Sequence, residues 1–565
     1  MGGKRIALAL CCIILFSGCE KRERAEWMEK DGREIESGHS EDAEACVTPF
    51  GRYENTVTYT LGKMTGSNRS NLPDGDTYEN NAYTRYLKKK LNIQNEDIFE
   101  VADGLDFLET VSLSVINNQM PDVMIVNDMD LLQKLVSEDR IEDLTTVYEQ
   151  CASQRVKDIY ASYGQEILNN VTFDGKLMAL PETNISDGPN LIWVRQDWMD
   201  ELGLSAPKTL EDVEEIVRLF IQKDPGKNGQ GKTVGIACEE NVIGEGEYNF
   251  EYQLNTVFAS CHSYPKKWVR NQQGDVEYGS ISQGTRDALK IIRRWYREGI
   301  IDRDFLLRGN ENIVDMIVEG QCGMFFGPWW APNNPLMLAK KKNPSADWKP
   351  YLIQTGADGS TTYVEQNYSK KYVVVRKGYK HPEIVMKIVS VLFDEMRHGD
   401  EETREIASYF QKNVDPSARP LAINVDYQDA LARCYVNLKD ALRGKKDMTQ
   451  LTALEGSYYE GCYRYQRTGS MASVEDWAAY TSRVTAPALM AEGNIKVERP
   501  VFYGKTNTMR KKWWKLEKIE KEAFLKIITG QEKLSYFDTF VEIWRREGGK
   551  EITEEVAASL ARKRQ

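Results

Sequence analysis

The feature that most constrains folding is an alternation of short apolar runs with longer amphipathic stripes. Thr56-Val57-Thr58-Tyr59-Thr60-Leu61 reads as a strand, and Tyr83, Tyr86, Leu87 and Leu91 then recur at helical spacing. Pro121-Asp122 opens the short apolar run Val123–Val126, and Leu131, Leu132 and Leu135 follow on a helical face. Strand, helix, strand, helix predicts an α/β body with a largely parallel sheet. The pattern resumes with the strand Leu191–Val194 and a helix opened by Thr209 and Asp212, its face lined by Leu210, Val213, Ile216, Val217, Phe220 and Ile221. Cys322–Phe326 and Tyr372–Val375 read as further strands, and His381-Pro382-Glu383 starts a helix carrying Ile384, Ile388, Val391 and Leu392. The last third is mainly helical, with Trp513, Leu516, Ile519 and Ala523 on one stripe.

The N-terminus carries an address. Lys4 and Arg5 precede the apolar run Ile6–Phe16, and Ser17-Gly18-Cys19 leads into a charged stretch. A basic start, an apolar core of this length and small residues at the end describe a secretory signal. The run is too short to span ~30 Å of hydrocarbon. Residues 1–18 are therefore expected to be a signal peptide. Leu15-Phe16-Ser17-Gly18-Cys19 resembles a bacterial lipobox, with Phe16 departing from the usual aliphatic residue, and implies lipidation at Cys19. Residues 19–52, poor in apolar periodicity, read as a lipidated, flexible tether. The expected location is the outer face of the bacterial cytoplasmic membrane.

Composition narrows the function. Of 565 residues, 41% are hydrophobic, enough for a large core. The formal charge of −12 becomes −14 once Lys4 and Arg5 leave with the signal, which argues against nucleic acid as a partner. Beyond Cys11, Cys12 and Cys19, seven cysteines are scattered without a C-x-x-C pair, and the four histidines do not pair at ligand spacing. No metal centre and no cofactor is expected from this pattern. The loop Asp224-Pro225-Gly226-Lys227-Asn228-Gly229-Gln230-Gly231-Lys232 has glycine and lysine at two positions where a calcium loop needs carboxylates.

A set of ordered motifs carries a resemblance. It comprises Pro121-Asp122-Val123-Met124, Ile141-Glu142-Asp143-Leu144-Thr145, Thr172–Pro181, Trp193–Trp198 and the Gly203-Leu204…Pro207-Lys208-Thr209 stretch. The Gly327-Pro328-Trp329 corner and Phe537–Val541 complete it. Together these resemble the extracellular solute-binding lipoproteins of carbohydrate ABC importers, over roughly Tyr53 to Gly549. The resemblance implies a two-lobed, type II periplasmic-binding-protein-like α/β fold with a hinge. The first lobe would be 53–183 and 363–440, and the second 184–362 and 441–565. It also implies a monomer that captures an oligosaccharide between the lobes and delivers it to ABC permease subunits, without being an enzyme. By similarity Trp329 is a stacking platform, with Trp330 beside it. Asn127 and Asp128 follow the Val123–Val126 strand, at whose carboxyl end ligands gather. Tyr252 and Phe250 are expected to line the cleft, and Glu182 and Asn184 to flank a crossing strand. Trp193 and Arg195 are expected to serve packing and an internal ion pair. The alternatives are a peptide-binding importer component, a sugar receptor coupled to a sensor kinase and a surface carbohydrate-active enzyme.

Overall fold

The computed structural model describes residues 40–562 apart from 67–69, 186–187, 245–250, 400–402 and 413. The expected lipidation site Cys19 and Phe250, expected to line the cleft, lie outside the described residues. Within Glu41–Gln565, two sheets organise two separate cores. The first sheet has five strands in the order Ile93–Ala102, Val57–Thr65, Val123–Val126, Tyr372–Val375 and Leu180–Pro181. The first three run parallel, and Tyr372–Val375 is antiparallel to both its neighbours. All four residues of Val123–Val126 are buried, as a strand covered on both faces requires. Gly62 is fixed by crowding: a Cβ there would lie 2.6 Å from the Phe99 ring and 3.1 Å from the Met124 Cβ.

The second sheet has the order Trp348–Tyr351, Leu191–Arg195, Cys322–Gly327 and Val234–Ala237. Its Leu191–Arg195 and Cys322–Gly327 strands are buried throughout. The helix Leu210–Lys223 starts as the sequence predicts, with Thr209 and Asp212 in a reciprocal capping box. Trp193 is buried and donates Nε1–H to the Pro328 carbonyl at 3.0 Å, and Arg195 pairs with Asp197. These two residues hold the second body together and the corner after its central strand.

The cores partition the chain. One hydrophobic cluster runs from Ala45 to Leu180 and from Tyr372 to Val425. Two others draw on Leu191–Ile353 and on Leu431–Val556, and a small fourth joins Cys434, Leu438, Ala441, Leu451 and Tyr459. The expected first lobe extends to residue 440, whereas its core residues end at Val425. The helix Ala430–Leu442 instead sends Leu431 into the second body. Similarly, residues 45–52, expected within the tether, lie on the first body: Ala45 is buried, as is Tyr53, the expected start of the lobe. Lys387 donates to the carbonyls of Ala45, Thr48 and Gly51 at 2.7–2.8 Å. The docked stretch carries one charged side chain, Arg52, and is held by its carbonyls and by Tyr53, whose hydroxyl donates to Glu383 at 2.6 Å.

Three segments cross side by side between the bodies. Glu182 N–H donates to the Lys371 carbonyl, Thr183 N–H to Asn424 and Asn184 N–H to Tyr368, all at 2.7–2.8 Å. Thr183 Oγ1 also accepts from Asp426 N–H at 2.8 Å. The crossing near Asn424–Asp426 has no strand-like pattern, so the sequence did not point to it. Among the described residues no helix is long and apolar enough to cross a membrane.

Candidate functional site

Beside the crossing segments lies a cavity of about 810 Å³, in the range of ligand sites. The first body contributes Phe393, Arg397 and Phe410, together with Arg419. The second contributes Trp329, Tyr458 and Arg483, and the crossing chain adds Ile185, Asp426 and Tyr427.

Each of these side chains is positioned by its element. Phe393 ends the buried helix Ile384–Phe393. Arg419 follows the short turn Pro416–Ala418, whose carbonyls and those beyond are gripped by the buried ammonium of Lys63: it donates to Ser417 O at 2.6 Å and also to Arg419 O. Burial pushes the Lys63 ammonium down to about 7, partly offset by Asp97 and Glu100. Arg419 itself lies over the rings of Phe393 (5.0 Å) and Tyr83 (5.7 Å) and donates to Asn424 Oδ1 at 3.0 Å. Trp329 ends the loop after the Cys322–Gly327 strand, at a carboxyl end. The Arg483 guanidinium covers its ring at 4.6 Å and that of Tyr458 at 4.1 Å, and donates to Tyr458 Oη at 2.7 Å.

Of the seven described side chains singled out by sequence, Trp329 alone is among those lining this cavity. Trp329 lines the cavity, yet it is only 7% exposed and belongs to a core cluster, so an edge rather than an open face is offered. Trp330 packs against the same cluster, half-buried. Tyr252 is wholly buried against Phe325. Asn127 donates to Asp103 at 3.3 Å. Asp128 caps the helix Met129–Ser137 through Leu131 N–H and meets the Lys505 ammonium at 2.9 Å. Burial raises its carboxyl, but Lys505 and the Leu131 amide outweigh that and hold it below the usual carboxylate range. Glu182 is buried in the crossing, and Asn184 donates from its side chain to Asn367 O at 2.8 Å. Arg155, Arg419, Tyr427, Tyr458 and Arg483 were missed. The last four leave a recurrence of Arg and Tyr through residues 419–483, and Arg155, far away in sequence on the helix Gln154–Ser162, leaves no trace of its own.

The Asp224 loop closes on itself. The Asp224 carboxylate accepts from the amides of Asn228 (3.0 Å) and Gly229 (2.8 Å) and from Thr233 Oγ1 at 2.5 Å.

Comparison with known proteins agrees with this architecture. The model of the bacterial extracellular solute-binding protein family matches residues 69–396. The chain is 22% identical over 391 residues to the polygalacturonan/rhamnogalacturonan-binding protein YtcQ of Bacillus subtilis (strain 168), covering 69% of this chain and 71% of that one. It is also 22% identical over 396 residues to lipoprotein LipO of the same organism, covering 69% and 72%. The substrate-binding protein FusA of S. pneumoniae, solved in complex with kestose, superposes with a TM-score of 0.57 at 15% identity, covering 90% of this chain and 99% of that one. The family match spans more than half of the chain and the fold agrees with it: the chain belongs to the bacterial extracellular solute-binding proteins.

Proposed function

We propose that this protein captures an oligosaccharide in the cavity beside the crossing segments and delivers it to an ABC permease. The observation that carries the reading is the 810 Å³ cavity itself, walled by both bodies and lined by aromatic rings, amides and guanidinium groups. Sugars offer flat C–H faces to rings and hydroxyls to such polar groups. A cavity whose walls belong to two bodies binds tightest when they approach, so ligand shifts the open–closed equilibrium that a permease reads. The curated relatives named for sugar binding support the ligand class. Lipidation at Cys19 holds the protein on the outer face of the cytoplasmic membrane, and the protein binds without turnover.

Titration calorimetry of the purified mature protein against a panel of oligosaccharides tests this. Stoichiometric binding of at least one oligosaccharide, recovered unshortened, is the expected outcome. Heat from peptides alone would reassign the ligand, and shortened sugar in the recovered sample would make the protein an enzyme. Replacing Cys19 by alanine releases the protein or leaves its signal uncut; retention on the membrane at mature size would refute the anchor.

A further inference from the structure

The charge of the sugar is not fixed by a cavity and a family. It is written in how the ions on the wall are paired. Six cationic and three acidic side chains reach the wall, on a chain whose formal charge is −12. Each acid is already engaged. Asp426 pairs with Arg397 at 2.7 Å and Asp429 with Arg433 at 2.6 Å. Glu455 accepts from the Thr452 amide at 2.8 Å and from Asn437 at 2.7 Å. Among the described residues, no carboxylate pairs with Arg155, Arg419, Lys446 or Arg483.

The three arginines carry a second mark. Each buries an Nε–H that meets no acceptor. A buried guanidinium donor without a partner is unfavourable, and a surplus of such charge in one cavity repels itself. Aromatic rings nevertheless hold the groups in place: Arg419 on Phe393 and Tyr83, Arg483 on Trp329 and Tyr458, and Arg155 over Tyr427 at 5.4 Å. A guanidinium held over a ring by its charge still has N–H groups to offer an acceptor. A carboxylate is such an acceptor, with two oxygens at the spacing of the fork.

We infer that the cavity takes an anionic oligosaccharide, one whose uronic acid carboxylates are received by Arg419 and Arg483, with Arg155 and Lys446 supplying further positive charge. This rests on the cavity being the sugar site. Neutral sugar hydroxyls could meet single N–H groups but would leave the surplus charge uncompensated. Aromatic rings and unpaired guanidinium groups together suit an alternation of C–H faces and carboxylates along one chain.

A matched pair of ligands tests it: an oligomer of galacturonic acid and its methyl ester, titrated into the mature wild-type protein. The two share their ring hydroxyls and differ mainly in charge. The acid is expected to bind at least about tenfold more tightly than the ester, a gap that narrows as salt rises. Arg483→Gln and Arg419→Gln should each weaken the acid by about tenfold or more and leave the ester within about threefold. Thermal melts verify that each variant folds, and Lys446→Gln provides a half-buried alternative with an expected loss of about threefold for the acid. An ester or a neutral oligosaccharide bound as tightly as the acid overturns the inference and leaves sugar capture standing. If no oligosaccharide of any charge binds, both fall.

Discussion

At the residue scale, Trp329 shows how one side chain can serve core and cavity together. Its ring is covered by Arg483 on one side and belongs to the second body's core. Trp329→Ala should therefore cost about 3–5 kcal/mol of stability and weaken sugar binding at least about tenfold. Trp329→Phe, which keeps a ring beneath Arg483, should recover part of both; melting and calorimetry on the same samples separate the two roles. Unchanged affinity in a destabilised Trp329→Ala protein would confine the residue to the core. Glu520 gives a pH test away from the cavity. It is buried in the helix Asn507–Thr529, and burial pushes its carboxyl up to about 7, against an ordinary value of 4.5. The folded protein thus keeps a proton that the unfolded chain releases. Stability then falls as pH rises from about 4.5 towards 7 and levels off above it, a loss on the order of 3 kcal/mol. Glu520→Gln removes this contribution. Denaturant titrations at pH 5 and pH 8 should show the variant gaining on wild type at the higher pH; equal slopes would mean Glu520 ionises normally.

At the element scale, the helix Ile384–Phe393 departs from the one-sided stripe expected of it. All ten residues are buried, including Lys387 and Ser390. It is hemmed in by the helices Ala82–Leu91, Thr145–Cys151 and Gln154–Ser162, and by the docked segment near Ala45. Its two polar residues are satisfied: Ser390 donates to Cys151 O at 2.8 Å and Lys387 to three carbonyls. Lys387→Met should strand those carbonyls, cost about 2–4 kcal/mol and expose the chain before Tyr53 to limited proteolysis. Digestion at the wild-type rate would argue that the segment is held by other means. The Asp224 loop gives the opposite lesson, a calcium-like spacing completed by its own amides and a hydroxyl. Millimolar calcium or excess chelator should leave the melting temperature unchanged; a rise of several degrees with calcium would reveal tight binding to the native state.

At the scale of the whole molecule, the two bodies are also joined by ion pairs away from the crossing. Lys505 meets Asp128 at 2.9 Å and Arg510 meets Asp130 at 2.7 Å. Both acids lie at the start of the helix Met129–Ser137, and both cations near the start of Asn507–Thr529. These pairs are partly exposed, so together they contribute on the order of 1 kcal/mol. That is little for global stability but enough to bias a lobe arrangement several-fold. The double variant Lys505→Ala/Arg510→Ala should melt within a few degrees of wild type yet show a larger radius of gyration by X-ray scattering at low salt. The difference should shrink at about 1 M salt, where screening removes the wild-type pairs as well. Identical scattering at low salt would rule these pairs out as a latch.

The sequence by itself determined the elements and their kinship. Val123–Val126, Cys322–Gly327 and Tyr372–Val375 are strands: apolar runs this short and rich in Val, Ile and Phe suit a sheet covered on both faces. Thr209 and Asp212 cap their helix because the bonds span three residues. The ordered motifs also pointed to the family. Tertiary structure alone decided what the motifs do not span. It placed the third crossing at Asn424–Asp426, docked residues 45–52 on the first body and set Asp128 as a helix cap paired with Lys505. It also brought Arg155, Arg419 and Arg483 to one wall across more than three hundred positions of chain. Local pattern reports only the neighbours a residue meets within a helical turn or a strand. Which cations find a carboxylate, and which are left facing the cavity, depends on segments that meet only when the two bodies have formed.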